Sequence, residues 1–572
     1  MTRRPTTTIR VLSGFAIVVV SALLPARWLA GRALPVDAGD YYDSLLAGIW
    51  CLKAALAVNG LLLLAWPFLG RLWGARLDVR PNRPVLLSQP SGWDRWDWVI
   101  ALLLFVAALA LRCINLGQSL VADEVAIQQM FVDRGLPVIM AYMPSMPHHV
   151  LYSVMVYVSE LLPLPLEVAY RLPAMLFGAA AVPLIYRLAR TVFRRTSAAA
   201  VGVLCAVSLF AIAHAQMGKS YSVTLFVVPC VVACAVGILR DLDRGRMWLG
   251  LGIGLGMLVF LHLYNVYLAA GLVLALCLVF VRCYGWGRQT VPVFVRRLLV
   301  VGLVCGAILF LVYSLMLPQV LALAEDVKTQ PEERLSIEFF RGWLMQATFW
   351  GDSWPVALTC AGLACVGAVF FWRREPNAAL LGVVPVVFLV AWVAVNRSFI
   401  YPRYLVFAFP LFAALCVEAV GSIGRFTRRR VVSRVGVIAF SLVFVAATVP
   451  SLLRYYRFGH QNLRAAAHLV ESKAGPNDAI AAYGLCRDEF PFYAPRARTI
   501  RDVNGLDSLL ESTPQSVYLL IAYPGVLQNQ ARDWEYIQDT FQRIRHYPGM
   551  LMDSTREDGD VLVFVDRGSL LP

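Results

Sequence analysis

Residues 97–131 read DWVIALLLFVAALALRCINLGQSLVADEVAIQQMF. The run 97–114 is apolar and long enough to cross a bilayer, because about 17–25 helical residues span the hydrocarbon and only a helix satisfies its own backbone there. A polar turn follows, and then an acidic pair, Asp123 and Glu124, just outside the membrane. The same reading extended in both directions finds thirteen apolar runs: 11–32, 46–70, 97–114, 171–190, 197–214, 222–239, 247–264, 266–283, 298–317, 355–372, 378–395, 403–421 and 435–453. The first follows MTRRPTTTIR and has the look of a signal peptide, but no small-residue cleavage site separates it from the next run. It is expected as a retained helix.

The composition agrees. Of 572 residues, 59% are hydrophobic and 15% charged, with a mean hydropathy of +0.66, which excludes a cytosolic enzyme and a disordered scaffold. The net charge is +15, from 51 Lys plus Arg against 36 Asp plus Glu. The short segments at residues 1–10, 71–97, 187–195, 240–246, 282–297, 373–375 and 425–434 hold 26 of these cations and six acids. By the positive-inside rule they face the cytoplasm. The surplus is therefore an orientation signal, and no nucleic-acid partner is expected. Twelve cysteines form no CxxC pair and lie almost all in apolar runs, where a thiol serves as a small core residue.

The expected fold is a polytopic α-helical membrane protein of about thirteen spans with a small α/β unit at its C terminus. Residues 1–96 would form an N-terminal helix pair and cytoplasmic linker, 97–453 a catalytic membrane domain, and 454–572 an extracytoplasmic domain. In the last, NLRAAAHLVESKAG and QARDWEYIQDTFQRIRHY read as helical, and AIAAY, SVYLLIAY and VLVFV as strands. Cys486 is its only cysteine. The two large external loops are 115–170 and 318–354. Within the first, HHVLYSVMVYVSELLPL (148–164) is too short and proline-bounded for a span and fits an interfacial or re-entrant helix.

Chemistry concentrates on the external side. A partly desolvated carboxylate has a raised proton affinity and can take the proton of a hydroxyl; an acid pair also suits a helix N-terminus, where the dipole favours it. Asp123-Glu124 is followed by MPHHVLYSV, then YRLPAMLFGAAAVPLIYRLARTVFRR, then HAQMGKSYSV. This order resembles the polyprenyl-phosphate-dependent glycosyltransferases of the C superfamily (GT-C), in the branch of protein O-mannosyltransferases and lipid A aminoarabinose transferases. The resemblance runs over about 97–453 and is most specific at 115–225. It implies Asp123 as catalytic base with Glu124 beside it. The family's His-Pro-Pro-Leu-Tyr is present in part, as His148, Leu151 and Tyr152 with His149 and Val150 in place of the prolines; its Arg-x-Tyr is Lys219-Ser220-Tyr221.

A departing polyprenyl phosphate needs cations at headgroup level. Lys219, Arg403 of YPRYLVFAFP and Arg171 of YRLP stand at external membrane boundaries, with Arg397 nearby; interfacial arginine also serves as a snorkelling anchor. His148, His149, Tyr152, Tyr221 and His262 are the expected substrate contacts, and His214 falls at the same face. These histidines with the acid pair could also bind a divalent metal, although no HExxH spacing is present, and no other cofactor is implied. Trp343, Phe349, Trp350 and Trp354 suit an interfacial aromatic belt or a lid over the donor. Asp37, Asp40 and Asp43 read as solvated loop. The expected activity is transfer of a sugar, with inversion, from a polyprenyl-phosphate donor to a hydroxyl on a lipid, glycan or protein, at the outer face of the plasma (inner) membrane. A transporter or lipid flippase is the rival reading, although transporters place ionisable sites near the bilayer midplane and here Glu418 is almost the only acid inside a late span; a membrane scaffold presenting the last domain would leave the acid pair unexplained.

Overall fold

A computed structural model of the chain describes residues 5–23, 25–26, 42–73, 79–86, 93–143, 148–326, 335–348, 354–396, 400–426, 430–513, 515–550 and 559–567. Among the described residues each apolar run falls largely on helix. Among the described residues ten helices are long and apolar enough to cross a membrane, or eleven if one bent pair counts as a single span. The expected thirteen also counted two shorter apolar helices, Leu12–Leu23 and the 17-residue Gly245–Leu261.

The bent pair bears on the site. The run 197–214, expected as one span, is two helices, Arg195–Val207 and Leu209–Ala215, bent by 53°. Ser208 takes an extended conformation (φ −56°, ψ 120°) and its hydroxyl accepts from the Ala211 amide at 3.3 Å, so one serine ends the first helix and caps the second. The short second helix carries His214 and delivers residues 216–220 to the end of the bundle where Asp123 stands. Residues 148–164 form a ten-residue helix, Val150–Ser159.

Ion pairs fasten the opposite end of the bundle. Asp97, at the start of helix Arg95–Cys113, accepts from Tyr186, Arg190 and Arg195. Glu418, the acid within a late span, is held by Arg374 through two contacts of 3.0 and 2.9 Å, so it is a paired buried charge.

After helix Arg430–Phe458 the chain forms helix Leu463–Lys473 and a five-stranded sheet. The strands are β1 (Ala479–Tyr483), β2 (Ala497–Ile500), β3 (Val517–Ala522), β4 (Phe541–Tyr547) and β5 (Val561–Asp566), in the order β2-β1-β3-β5-β4. β1 is parallel to β2 and β3; β5 is antiparallel to β3 and β4. The stretch 530–547, expected as helical throughout, is helix only over Ala531–Thr540. Its remainder is β4, drawn into pairing by β5 across an irregularity between Arg543 and Arg545. The short β2, ARTI, has too weak an alternation to be read from sequence.

The sheet region is joined tightly to the first external loop. Arg464 donates from its backbone to the Ser119 hydroxyl at 3.1 Å and from its guanidinium to Glu167 at 2.7 Å. The His460 amide donates to Gln118, the Leu120 amide to the Tyr493 hydroxyl, and the Ala122 amide to Gln461. Residues 118–122 thus have partners from the sheet region up to the residue before Asp123.

Candidate active site

Asp123 and Glu124 open a short helix, Ala122–Ile127. Successive residues on a helix point about 100° apart, so the two acids face different surroundings. Glu124 turns inward and is fully buried. It accepts from the Val121 amide at 2.9 Å, capping its own helix, from the Gly218 amide, and from both Nε and Nη2 of Arg171. Burial alone would raise its proton affinity, but the Arg171 charge and these hydrogen bonds prevail and hold the carboxyl below its ordinary range. Arg171 is equally buried. Its five N–H groups meet Glu124 twice and the carbonyls of Leu116, Gln118 and Ser119. No donor is left over for a phosphate. The helix carrying it already begins at Leu166, so Arg171 lies beyond the boundary where it was expected to sit.

Asp123 turns outward. Its side chain is 46% exposed, and it accepts from Lys219 Nζ at 2.6 Å, while Lys219 itself is 3% exposed. A buried ammonium thus faces the open site through the one carboxylate of the pair with an accessible side. Gly218, the residue before Lys219, is confined: a Cβ there would stand 2.0 Å from the Tyr170 ring and 3.0 Å from Glu124 Oε1.

Beyond Lys219 lies a cage of rings. The Ser220 hydroxyl bonds Nδ1 of His149 at 2.7 Å. The His149 ring lies 4.8 Å from His262 and 5.4 Å from Tyr221, and His262 lies 4.9 Å from Tyr404. His214 meets the Tyr221 ring at 5.4 Å. Arg403 donates from Nε to the Tyr221 hydroxyl at 2.9 Å and stacks 4.0 Å over the Tyr401 ring. Burial, with the charges of His262 and Lys219, pushes the His149 imidazole well below its ordinary value and keeps it neutral. The arrangement offers an accessible carboxylate, two cations from separate segments and neutral rings able to hydrogen-bond or stack on a polar ligand.

No family model and no curated sequence matches this chain. Solved structures do. ArnT from Cupriavidus metallidurans in the apo state superposes with a TM-score of 0.53 at 14% identity, over 83% of this chain and 99% of that one. The same protein bound to undecaprenyl phosphate gives a TM-score of 0.50 at 14% identity and the same coverage. The chain has the fold of ArnT. This is the GT-C membrane fold that the sequence resemblance implies, carried by a multi-pass helical chain.

Within that fold the expected site residues divide into two groups. Asp123, Lys219, Tyr221, His149, His262 and Arg403 converge, together with His214. Glu124, Arg171 and Tyr152 form a buried layer behind them; Tyr152 gives its hydroxyl to the Tyr170 carbonyl at 2.8 Å. His148, although adjacent to His149, turns the other way and stacks on Phe131 at 3.8 Å. Burial lowers its pKa to about 3. Among the described residues no group of three or more His, Cys, Asp or Glu is arranged to hold a metal ion. Trp343 packs edge-on against Phe412, and Trp354 lies under Arg341. Arg397, Phe349, Trp350, Asp37 and Asp40 lie outside the described residues. The sequence reading passed over Gly218, Tyr401, Tyr404 and Gln461. For Tyr401 and Tyr404 a signal was present, since both flank Arg403.

Proposed function

We propose that this chain is an integral-membrane glycosyltransferase that moves a sugar from a polyprenyl-phosphate donor to an acceptor hydroxyl. The observation that carries the reading is the pairing of exposed Asp123 with buried Lys219 at the outer end of the ArnT fold. One of the two ArnT structures similar to this chain holds undecaprenyl phosphate, which supports a polyprenyl phosphate as the donor's lipid carrier. Asp123 accepts the proton of the acceptor hydroxyl as that oxygen attacks the anomeric carbon. The bond from that carbon to the phosphate oxygen breaks, its electron pair leaves with the phosphate, and Lys219 and Arg403 offset the charge. Direct displacement inverts the anomeric centre. His149, His262, Tyr221 and Tyr404 contact the sugar and the phosphate, and Glu124 with Arg171 hold the turn that aims Asp123. Donor phosphate drawn to Lys219 loosens its hold on Asp123, so the donor binds first. The basic segments, read as cytoplasmic by the positive-inside rule, support a reaction on the extracytoplasmic face of the inner membrane.

The test supplies purified protein with radiolabelled undecaprenyl-phosphate sugars and lipid, glycan and peptide acceptors, comparing wild type with Asp123→Asn. Transfer by wild type and a loss of about 10²–10⁴-fold in the variant are expected, the usual worth of a general base. Full activity in a folded Asp123→Asn removes Asp123 from the role, and no transfer by wild type from any donor removes the reading.

A further inference from the structure

One buried arginine holds both ends of the short helix that brings Lys219 to Asp123. An unbroken helix through 195–215 would close the Cys205 and Ala206 carbonyls with the Leu209 and Phe210 amides. The extended backbone at Ser208 ends that ladder at Leu204, whose carbonyl takes the Ser208 amide at 3.0 Å. Arg112, fully buried in the last turn of helix Arg95–Cys113, supplies the missing donors. Its guanidinium donates to the Cys205 carbonyl at 3.4 Å and to the Ala206 carbonyl at 3.2 Å, with a third bond to Ala108 of its own helix at 3.0 Å. A carbonyl without a partner is costly within a bilayer, so these bonds keep the break open.

The backbone of the same arginine holds the far end of Leu209–Ala215. Gln216, also fully buried, donates from Nε2 to the Arg112 carbonyl at 2.9 Å and to the Ile114 carbonyl at 2.5 Å. Two residues on, the Gly218 amide reaches Glu124, and next to it Lys219 Nζ reaches Asp123 Oδ2 at 2.6 Å. Gly178 makes room for this joint, since a Cβ there would stand 2.7 Å from Ala215 Cβ and 3.3 Å from Arg112 Nε. The side chain of Arg112 therefore fixes where the short helix begins, and its carbonyl fixes where it ends.

We propose that Arg112 and Gln216 are positioning residues that set Lys219 for the donor phosphate by holding the 195–215 helix in its bent form. Neither touches the reacting atoms; both act through Lys219. That a donor phosphate meets Lys219 rests on the glycosyltransferase reading, whereas the clamp on Lys219 stands on the hydrogen bonds alone. Without the guanidinium, the Cys205 and Ala206 carbonyls regain partners when Ser208 returns to helical backbone. That closure removes the 53° bend and carries the 216–220 turn, with Lys219, away from Asp123.

The experiment uses the full chain in lipid nanodiscs and two readouts. The chain has four lysines, Lys53, Lys219, Lys328 and Lys473, so acetylation of each by an amine-reactive reagent is resolved by mass spectrometry. Lys219 is 3% exposed and Lys473 is exposed. Arg112→Met and Gln216→Met are expected to speed labelling of Lys219 at least tenfold while leaving Lys473 unchanged, and Arg112→Lys to recover part of the protection. The second readout is binding of undecaprenyl phosphate by isothermal titration. Arg112→Met is expected to weaken it at least tenfold, and the double variant with Lys219→Met to bind no more weakly than Lys219→Met alone, because a residue that acts through another is not additive with it. Lys219 labelled at the wild-type rate in the folded variants, or binding losses that multiply, overturns the inference and leaves the glycosyltransferase reading standing. Wild type that neither binds undecaprenyl phosphate nor transfers sugar overturns that reading, and the labelling still decides the clamp. If Arg112→Met fails to fold, Gln216→Met decides through the same two measurements, because it loses the amide while keeping the guanidinium.

Discussion

The two adjacent acids are expected to fail in opposite ways when each is made an amide. Glu124→Gln removes the charge from a carboxylate buried against Arg171, with both side chains at 0% exposure. It leaves a guanidinium in the interior with three backbone carbonyls and no counter-charge. Deleting one member of a buried pair costs about 3–5 kcal/mol. It also gives the Gly218 and Val121 amides a poorer acceptor. Asp123→Asn acts on a side chain that is 46% exposed, where solvent screens the pair, and the amide oxygen still accepts from Lys219. Because the 3%-exposed Lys219 ammonium loses its carboxylate partner, the cost falls between that of a surface pair, about 1 kcal/mol or less, and that of the buried Glu124–Arg171 pair. Thermal unfolding of the two variants in one detergent, followed by tryptophan fluorescence and by sugar transfer, separates them. Glu124→Gln is expected to melt several degrees lower, with activity per folded molecule partly kept, and Asp123→Asn to melt between it and wild type with transfer abolished. A Glu124→Gln protein as stable as wild type would refute the account of the buried pin. Inactivity of that stable protein beside an active Asp123→Asn would make Glu124 the base.

Lys219→Met is expected to weaken binding of undecaprenyl phosphate about 10- to 150-fold, the worth of one charged hydrogen bond at about 1.5–3 kcal/mol; isothermal titration in nanodiscs reads it. Gly218→Ala is expected to lose stability and transfer together, because the new Cβ meets Tyr170 at 2.0 Å, and Tyr170→Leu in the same chain should recover part of the loss; an unimpaired single variant would contradict the packing. Glu489 makes stability depend on pH. Its folded pKa of about 7 lies above the ordinary carboxyl value, so the folded state favours the protonated form. The associated stabilisation is full below about pH 4.3 and is lost as pH rises through 7. The melting temperature of wild type should accordingly fall relative to Glu489→Gln across that window, and parallel curves would show that Glu489 does not titrate there.

Much of the fold was legible because a bilayer imposes a length and a composition on anything that crosses it. Among the described residues the apolar runs fall on helices, and described parts of the basic segments are tied to nearby acids and carbonyls, Arg195 to Asp97, Arg297 to Asp243 and Arg374 to the Val192 carbonyl. The break at Ser208 was not legible, since its capping hydroxyl acts inside an otherwise unbroken apolar run. Nor was β4, whose residues pass for a helix until β5 lies beside them.

From the sequence alone came the class of molecule, an expected orientation and the cluster of chemistry on one face, because hydrophobicity and charge are properties of residues taken in order. It also supplied an acid pair, with Asp123 taken as the base by resemblance, a histidine pair and three cations. Only the tertiary structure showed which way each one faces. Helical geometry turned Asp123 to the opening and Glu124 to Arg171. His149 joined Ser220 while His148 stacked on Phe131, and Gln461 came up to the Ala122 amide, beside Asp123, from more than 300 positions away in the chain. Which way a side chain faces, and what has already taken its hydrogen bonds, depends on neighbours distant in sequence, and those are set only when the chain is packed.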